Sequence, residues 1–316
     1  MSTISQSHEG ISDTEDFVLP FQIGDTAVRG RIVRLSGSID EILSRHAFAD
    51  PVSTLVGEAV ALVAMMGAAL KFDGKLIFQV QGDGAVPMVV ADYSAGGALR
   101  ATAKVTDEIA PDVRANALIG KGTIVMTIDQ GPEMERYQGV TPLDGETLGE
   151  AAVSYFNQSE QIPTAIRLAV GKVMVPGERE RWRAGGIIAQ FVPGEGGTRE
   201  RGEEIAMGEA DTEMWDRAEA FVKSTQDDEL LDPAISAQTV LYRLFHEDGV
   251  RVFDAQPVHA ACGCSSEKIE AVLSRYKEEE LADMVEGRVI KVSCEFCRRD
   301  YRFSPRGKAM ADNADQ

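Results

Sequence analysis

Cysteine is scarce in this chain: four among 316 residues, none before position 262. So few thiols exclude a disulfide-stapled secreted scaffold. Histidine is equally rare, and His8, His46, His246 and His259 stand in no recognisable motif. There is no G-x-S-x-G, no P-loop and no H-E-x-x-H, so nothing argues for an enzyme. Gly82-Asp83-Gly84 lacks the third glycine and the following helix of a dinucleotide fingerprint. No apolar run reaches the roughly 18 residues of a membrane span. Met1 to Asp16 is polar and acidic without an apolar h-region, so residues 1–16 read as a disordered acidic tail, not a secretory signal. Bases are outnumbered, 32 against 51 acids, for a net charge of −19. That balance favours solubility and disfavours nucleic acid as a partner of the whole chain. Clustered cysteines without an export signal point to the reducing cytoplasm.

The cysteines that are present form two pairs, Cys262-x-Cys264 and Cys294-x-x-Cys297, with 29 residues between them. Two such turns brought together make a cage of four thiolates, the usual closed structural zinc site. Soft thiolates suit zinc, copper(I) or an iron–sulfur cluster, and C-x-C is not a common cluster spacing, so one zinc is expected. His259, three residues before Cys262, is an alternative ligand. A purely structural zinc knuckle is the plainer reading. Against it stand seven bases around the second pair (Arg288, Lys291, Arg298, Arg299, Arg302, Arg306, Lys308), opposed by only two acids, Glu295 and Asp300. Nearby positive charge favours thiolate, the form that binds metal and reacts with oxidants.

The expected fold class is α+β. Residues 17–193 read as a core domain with a mixed, largely antiparallel sheet and a buried helix. Strands are expected at Phe17 to Ile23, Ala27 to Leu35, Lys75 to Gln81, Met88 to Tyr93, Leu99 to Val105, Gly122 to Asp129, Ile166 to Val173 and Gly186 to Val192. Ser38-x-x-Glu41 reads as a capping box before a short helix. Pro51 opens a long helix to about Lys71, rich in small residues and apolar on several sides, which suits burial. Residues 194–232 read as a flexible acidic linker, and 195–232 hold 13 acids against four bases. Within the linker, 203–224 is an amphipathic helix whose stripe includes Met207, Met214, Phe221 and Val222, with Trp215 beside it. Met-rich stripes suit adaptable binding surfaces, whereas the plainer reading is a helix docked on the core. Residues 233–305 read as a small zinc-binding redox-switch domain, short of apolar mass and therefore dependent on its metal. Residues 306–316 read as a second disordered tail.

The cysteine pattern resembles that of the redox-switched holdase chaperones of the 33-kDa heat-shock protein family. So do Leu70-Lys71-Phe72-Asp73-Gly74, Gln79-Val80-Gln81-Gly82-Asp83-Gly84, Glu135-Arg136-Tyr137-Gln138-Gly139-Val140, Tyr155-Phe156 and Ser159-Glu160-Gln161-Ile162-Pro163-Thr164. The resemblance implies an inactive reduced form holding one zinc through Cys262, Cys264, Cys294 and Cys297. It implies that oxidants form the disulfides Cys262–Cys264 and Cys294–Cys297, that zinc is released, and that the switch and linker unfold. It further implies a homodimer when activated, unfolded client proteins held without ATP, and hand-over to ATP-dependent refolding chaperones. The stripe Met207, Met214, Trp215, Phe221 and Val222 would then meet the client. Two rival readings remain at this point. One is a zinc ribbon contacting RNA or another anion through the basic cluster. The other is a thiol–disulfide exchange enzyme, which would need its C-x-x-C to open a helix in a βαβ context.

Overall fold

The computed structural model describes residues 16–310 except 71–73, 112, 114, 132–133, 175–176, 178 and 193–206. The chain opens with β1 (Phe17–Ile23) and β2 (Val28–Leu35), then α1 (Gly37–Ser44) and α2 (Asp50–Gly67). A meander follows, β3 (Lys75–Gly82), β4 (Met88–Ser94) and β5 (Ala98–Lys104), then α3 (Ala115–Ile119), β6 (Gly122–Asp129) and β7 (Tyr137–Pro142). The core closes with α4 (Leu148–Tyr155), which runs into a π-helical turn at Phe156–Glu160, then β8 (Thr164–Val173) and β9 (Arg181–Phe191). Three helices come next, α5 (Glu209–Ser224), α6 (Asp227–Leu231) and α7 (Ala237–Phe245). Short strands β10 (Val250–Val252), β11 (Gln256–Pro257) and β12 (His259–Ala260) lead to α8 (Ser266–Leu273) and α9 (Glu278–Asp283). The chain ends on β13 (Val285–Glu286), β14 (Val289–Ser293) and β15 (Asp300–Phe303).

Two sheets and one helix make the core. The first sheet runs β10-β1-β2-β9-β8, with β11 also on β1; the second runs β12-β5-β4-β3-β6-β7. All pairings are antiparallel except β12 on β5. The long apolar helix α2 lies between the sheets and touches strands of both. It passes a composition test for a membrane span, but most of it is enclosed here by Val33, Leu35 and Ile188 on one side and Phe78, Val89 and Ala101 on the other. Its small residues allow the close approach: a Cβ at Gly67 would sit 2.2 Å from the Tyr93 ring.

The other face of the first sheet is also apolar, because strand side chains alternate. On β1, Val18 points to α2 while Phe17, Leu19, Phe21 and Ile23 point away. Helices α5, α6 and α7 cover that second face with Trp215, Ala218, Val222, Leu230, Val240, Leu241 and Phe245. Two arginines of the core fasten the cover. Buried Arg34 donates to the carbonyls of Leu230 (2.7 Å), Glu229 (3.0 Å), Asp232 (3.3 Å) and Ile235 (2.5 Å). Arg167 donates to the Thr225 carbonyl (3.1 Å) and to the Asp227 carboxylate. These bonds satisfy carbonyls that the short helix α6 leaves open at its end.

Several local expectations need correction. Ser38 does not form a capping box with Glu41; it lies inside α1, and its backbone and hydroxyl bind Asp16 at 2.9 and 2.8 Å. Asp16, assigned above to the tail, is the group that holds the start of α1, and Glu41 pairs with Arg45 instead. The long helix stops at Gly67 rather than Lys71. The linker helix begins at Glu209, and 193–206 lie outside the described residues. Strand β7 and helix α6 were not expected. Helix α7 and strands β10–β12, within the 233–305 span, pack on or pair with the core sheets. At the C-terminal end, residues up to 310 remain attached: the Met310 N–H donates to the Arg302 carbonyl (3.2 Å).

Candidate metal centre

The last sheet, β13-β14-β15, and helices α8 and α9 form a lobe with a very small core. Leu273, Leu281, Ile290, Tyr301 and Phe303 are its buried apolar side chains. So few buried groups do not offset the chain entropy of ordering the lobe without help.

That help has a place to come from. Cys262 and Cys264 arrive on the loop after β12, and Ser265 caps α8 behind them by accepting from the Lys268 N–H (3.3 Å). Cys294 ends the β14 arm, and a tight turn brings Cys297 back. In that turn the Arg298 N–H donates to the Cys294 carbonyl (2.8 Å) and the Cys294 N–H to the Arg299 carbonyl (2.9 Å). Arg298 takes the left-handed conformation, φ 58°, to close it.

All four sulfurs lie within 4.8 Å of one another. Two contacts run between the pairs: Cys262 to Cys294 at 3.8 Å and Cys264 to Cys297 at 3.3 Å. A tetrahedron with Zn–S bonds of about 2.3 Å has an edge of about 3.8 Å, so the donor set fits zinc. The electrostatics agree. Burial pushes the Cys297 thiol up to about 12, with the neighbouring sulfurs of Cys264 and Cys294 adding to it and the Arg299 N–H opposing. That crowding keeps the Cys297 thiol protonated unless a cation replaces the proton. The Tyr301 hydroxyl donates to Cys264 Sγ (3.1 Å), an outer partner of the kind that orients a ligand. His259 is exposed on β12 and is not in the group.

The turn between Cys294 and Cys297 is keyed into the core. Thr102 donates to the Glu295 carbonyl (2.9 Å), and His46 Nε2 donates to the Phe296 carbonyl (3.0 Å). Burial lowers the His46 pKa, which keeps the ring neutral, and it stacks on Phe48 at 4.6 Å. Arg100 lies over the Phe296 ring (4.1 Å), pairs with buried Asp92 (2.5 Å) and reaches the Cys262 sulfur. On the other side of the loop, His259 and Ala261 donate backbone N–H groups to Gly97 and Leu99. Sequence reasoning missed His46, Thr102 and Arg100, because their role depends on contacts some 160 to 250 residues away along the chain.

The five stripe residues are not free in this structure. Trp215 and Val222 are buried against the first sheet, and Met207, Met214 and Phe221 pack beside them, half-buried. Phe221 and Phe21 both contact the ring of Phe245, at 6.0 and 5.7 Å. Of the basic cluster, Lys291 pairs with Glu286 and Lys308 with Glu270, while Arg298 and Arg299 line a cleft over the sulfurs. The C-x-x-C stands in a turn between two antiparallel strands, not at the head of a helix, which removes the βαβ context that thiol–disulfide exchange would need.

Comparisons with known proteins bear on this arrangement. The family model described as Hsp33 protein matches residues 16–304. A 33 kDa chaperonin of Caulobacter vibrioides is 46% identical over 302 residues, covering 93% of this chain and 96% of its own length. That of Shewanella loihica is 36% identical over 292 residues, covering 92% and 93%. The crystal structure of the 33 kDa chaperonin from Thermotoga maritima superposes with a TM-score of 0.75 over 92% of this chain and 95% of that one. At 23% identity it supports the fold alone.

Proposed function

The chain belongs to the Hsp33 family of chaperones, which is not an enzyme family, and on that premise we propose that it is a redox-switched holdase that binds unfolding proteins without ATP. The observation that carries this reading is the convergence of four sulfurs in a lobe too small to stand alone, keyed to a core whose apolar face lies under the linker. A bound zinc ion would hold Cys262, Cys264, Cys294 and Cys297 as thiolates and tie the two turns together. In the reduced state the lobe is ordered, Glu295 and Phe296 stay on Thr102 and His46, and α5–α7 stay on the first sheet.

Oxidation removes the ligands. Two thiols and one peroxide give one disulfide and two waters, so two equivalents convert the pairs Cys262–Cys264 and Cys294–Cys297. The lobe then loses its support and unfolds, and the linker, acidic along its length, follows. The exposed stripe and the uncovered sheet face take up apolar client segments while the net charge keeps the complex dissolved. The activated form dimerises and passes clients to ATP-dependent chaperones, all within the cytoplasm. The domain division at 17–193, 194–232 and 233–305 is part of this proposal, with 237–260 tethering switch to core.

The test is a suppression-of-aggregation assay on an unrelated, thermally unfolding protein. Reduced, zinc-loaded protein gives little suppression, and peroxide with mild heat gives full suppression without nucleotide. Equal suppression in both states would overturn the switch. Retained affinity for RNA that falls steeply with salt would favour the zinc-ribbon reading instead.

A further inference from the structure

The sulfurs open onto a cleft of about 360 Å³. Cys262, Cys264 and Cys297 form its floor, and Arg45, Arg298 and Arg299 line it together with Glu41. Glu41 is already occupied by Arg45, one helical turn away at 2.5 Å. Among the described residues neither Arg298 nor Arg299 has a carboxylate partner; Arg299 is bound first by the Tyr301 hydroxyl, itself on Cys264, and lies within electrostatic range of Cys264 and Cys297. The left-handed turn at Arg298 puts these two consecutive arginines at the sulfurs.

Four thiolates around a dication leave a net negative charge, which would repel an incoming anion. Three arginines against one glutamate offset that charge and make the mouth itself positive. Guanidinium groups also supply a fork of donors suited to oxygen anions. We propose that this cleft is an anion-binding site on the cysteine centre, through which Arg45, Arg298 and Arg299 bring small anionic oxidants onto the sulfurs. The proposal rests on the redox-switch reading above and adds to it a preference for charge. With peroxymonosulfate as such an oxidant, one sulfur attacks the outer peroxide oxygen. An S–O bond forms, the O–O bond breaks and sulfate leaves. The second sulfur then attacks the first, the S–S bond forms and hydroxide leaves. Two thiolates have given up two electrons to one peroxide bond.

Iodoacetate and iodoacetamide test the preference, because they differ chiefly in charge. Reduced, zinc-loaded, full-length protein is treated with each, and zinc release and cysteine alkylation are followed together. The rate ratio of anion to neutral reagent is normalised to that on free cysteine. The expected ratio exceeds one in low salt and falls as salt rises. Arg45→Gln, Arg298→Asn (which keeps the left-handed turn accessible) and Arg299→Gln should each lower it about threefold, the effect of one charge over roughly 6 Å of water. Arg45→Lys and Arg299→Lys should restore it. A normalised ratio in the wild type that is at or below one, or insensitive to salt, overturns the proposal without any variant. Equal slowing by both reagents in the variants also overturns it, since the arginines would then act on the sulfurs themselves. Peroxide, being neutral, should switch on holding in every variant; if it fails even in the wild type, the redox-switch reading fails instead.

Discussion

Gly185 offers a way to separate linker release from oxidation. It lies on β9, on the face of the first sheet that the linker covers, and a Cβ there would meet the Leu230 carbonyl oxygen at 2.4 Å and the Leu230 Cβ at 3.0 Å. The three nearest atoms all belong to Leu230, so Gly185→Ala presses first on α6. Overpacking of this kind costs about 1–3 kcal/mol. Leu230 O also receives the Arg34 hydrogen bond, at 2.7 Å, which the shift would lengthen. If the cost falls on docking, the undocked population rises about 5- to 150-fold. The assay uses reduced protein with its zinc and four thiols verified. Trp215 fluorescence, read in a Trp182→Phe background, should shift to the red as its buried ring meets water. Trypsin should cut faster at Arg217 and Lys223 within α5. Suppression of aggregation should rise without oxidant. A Trp215 signal and protease pattern like the wild type would refute the packing argument. An exposed Trp215 with no gain in holding would refute the idea that the covered face is the client surface.

Three other expectations follow from the same contacts. Cys294→Ser should abolish tight zinc binding and leave the lobe of Leu273, Leu281, Ile290, Tyr301 and Phe303 without near-UV signal; one retained zinc and a native spectrum would contradict the four-sulfur set. Met214→Ser with Phe221→Ser should weaken holding by the oxidised protein and leave the rate of zinc release unchanged, and undiminished suppression would remove these two side chains from the client surface. Docking should also depend on pH through Glu58. Burial raises its carboxyl to about 7, with Arg167 on β8 opposing and Asp227 on α6 adding to the shift, and Glu58 Oε2 has no hydrogen-bond partner. Undocking takes Asp227 away and with it Asp227's part of the shift, so the Glu58 carboxyl falls when the linker leaves and the linker binds most firmly while Glu58 is protonated. Docking then weakens as pH rises to about 7, by at most about tenfold per pH unit, and levels off above; Glu58→Gln should flatten the curve read from Trp215 fluorescence.

The sequence carried the parts of this structure that depend on local pattern. Strand-like runs and the glycine turns between them announced β1 to β6, the small-residue helix announced its own burial, and the cysteine spacing announced the sulfur cage. Other parts were hidden because they depend on the third dimension. Asp16 takes the role assigned to Glu41 because the chain before β1 passes the start of α1. The double burial of β1 was readable in Phe17, Leu19, Phe21 and Ile23, yet not what would cover them. The second layer around the centre, Thr102, His46 and Arg100, carries no signal in spacing at all. Those side chains meet Glu295, Phe296 and Cys262 only once the sheets are assembled.

The central claim joins metal, thiols and holding in one event, so they belong in one sample. Reduced protein is assayed for bound zinc and free thiols, then given peroxide at mild heat, and zinc release, thiol loss and suppression of client aggregation are followed on a common clock. The account predicts loss of one zinc and all four thiols, with holding rising as the zinc leaves and reversing under a reductant with zinc restored. Zinc kept while holding rises, or zinc and thiols lost with no holding gained, would contradict it.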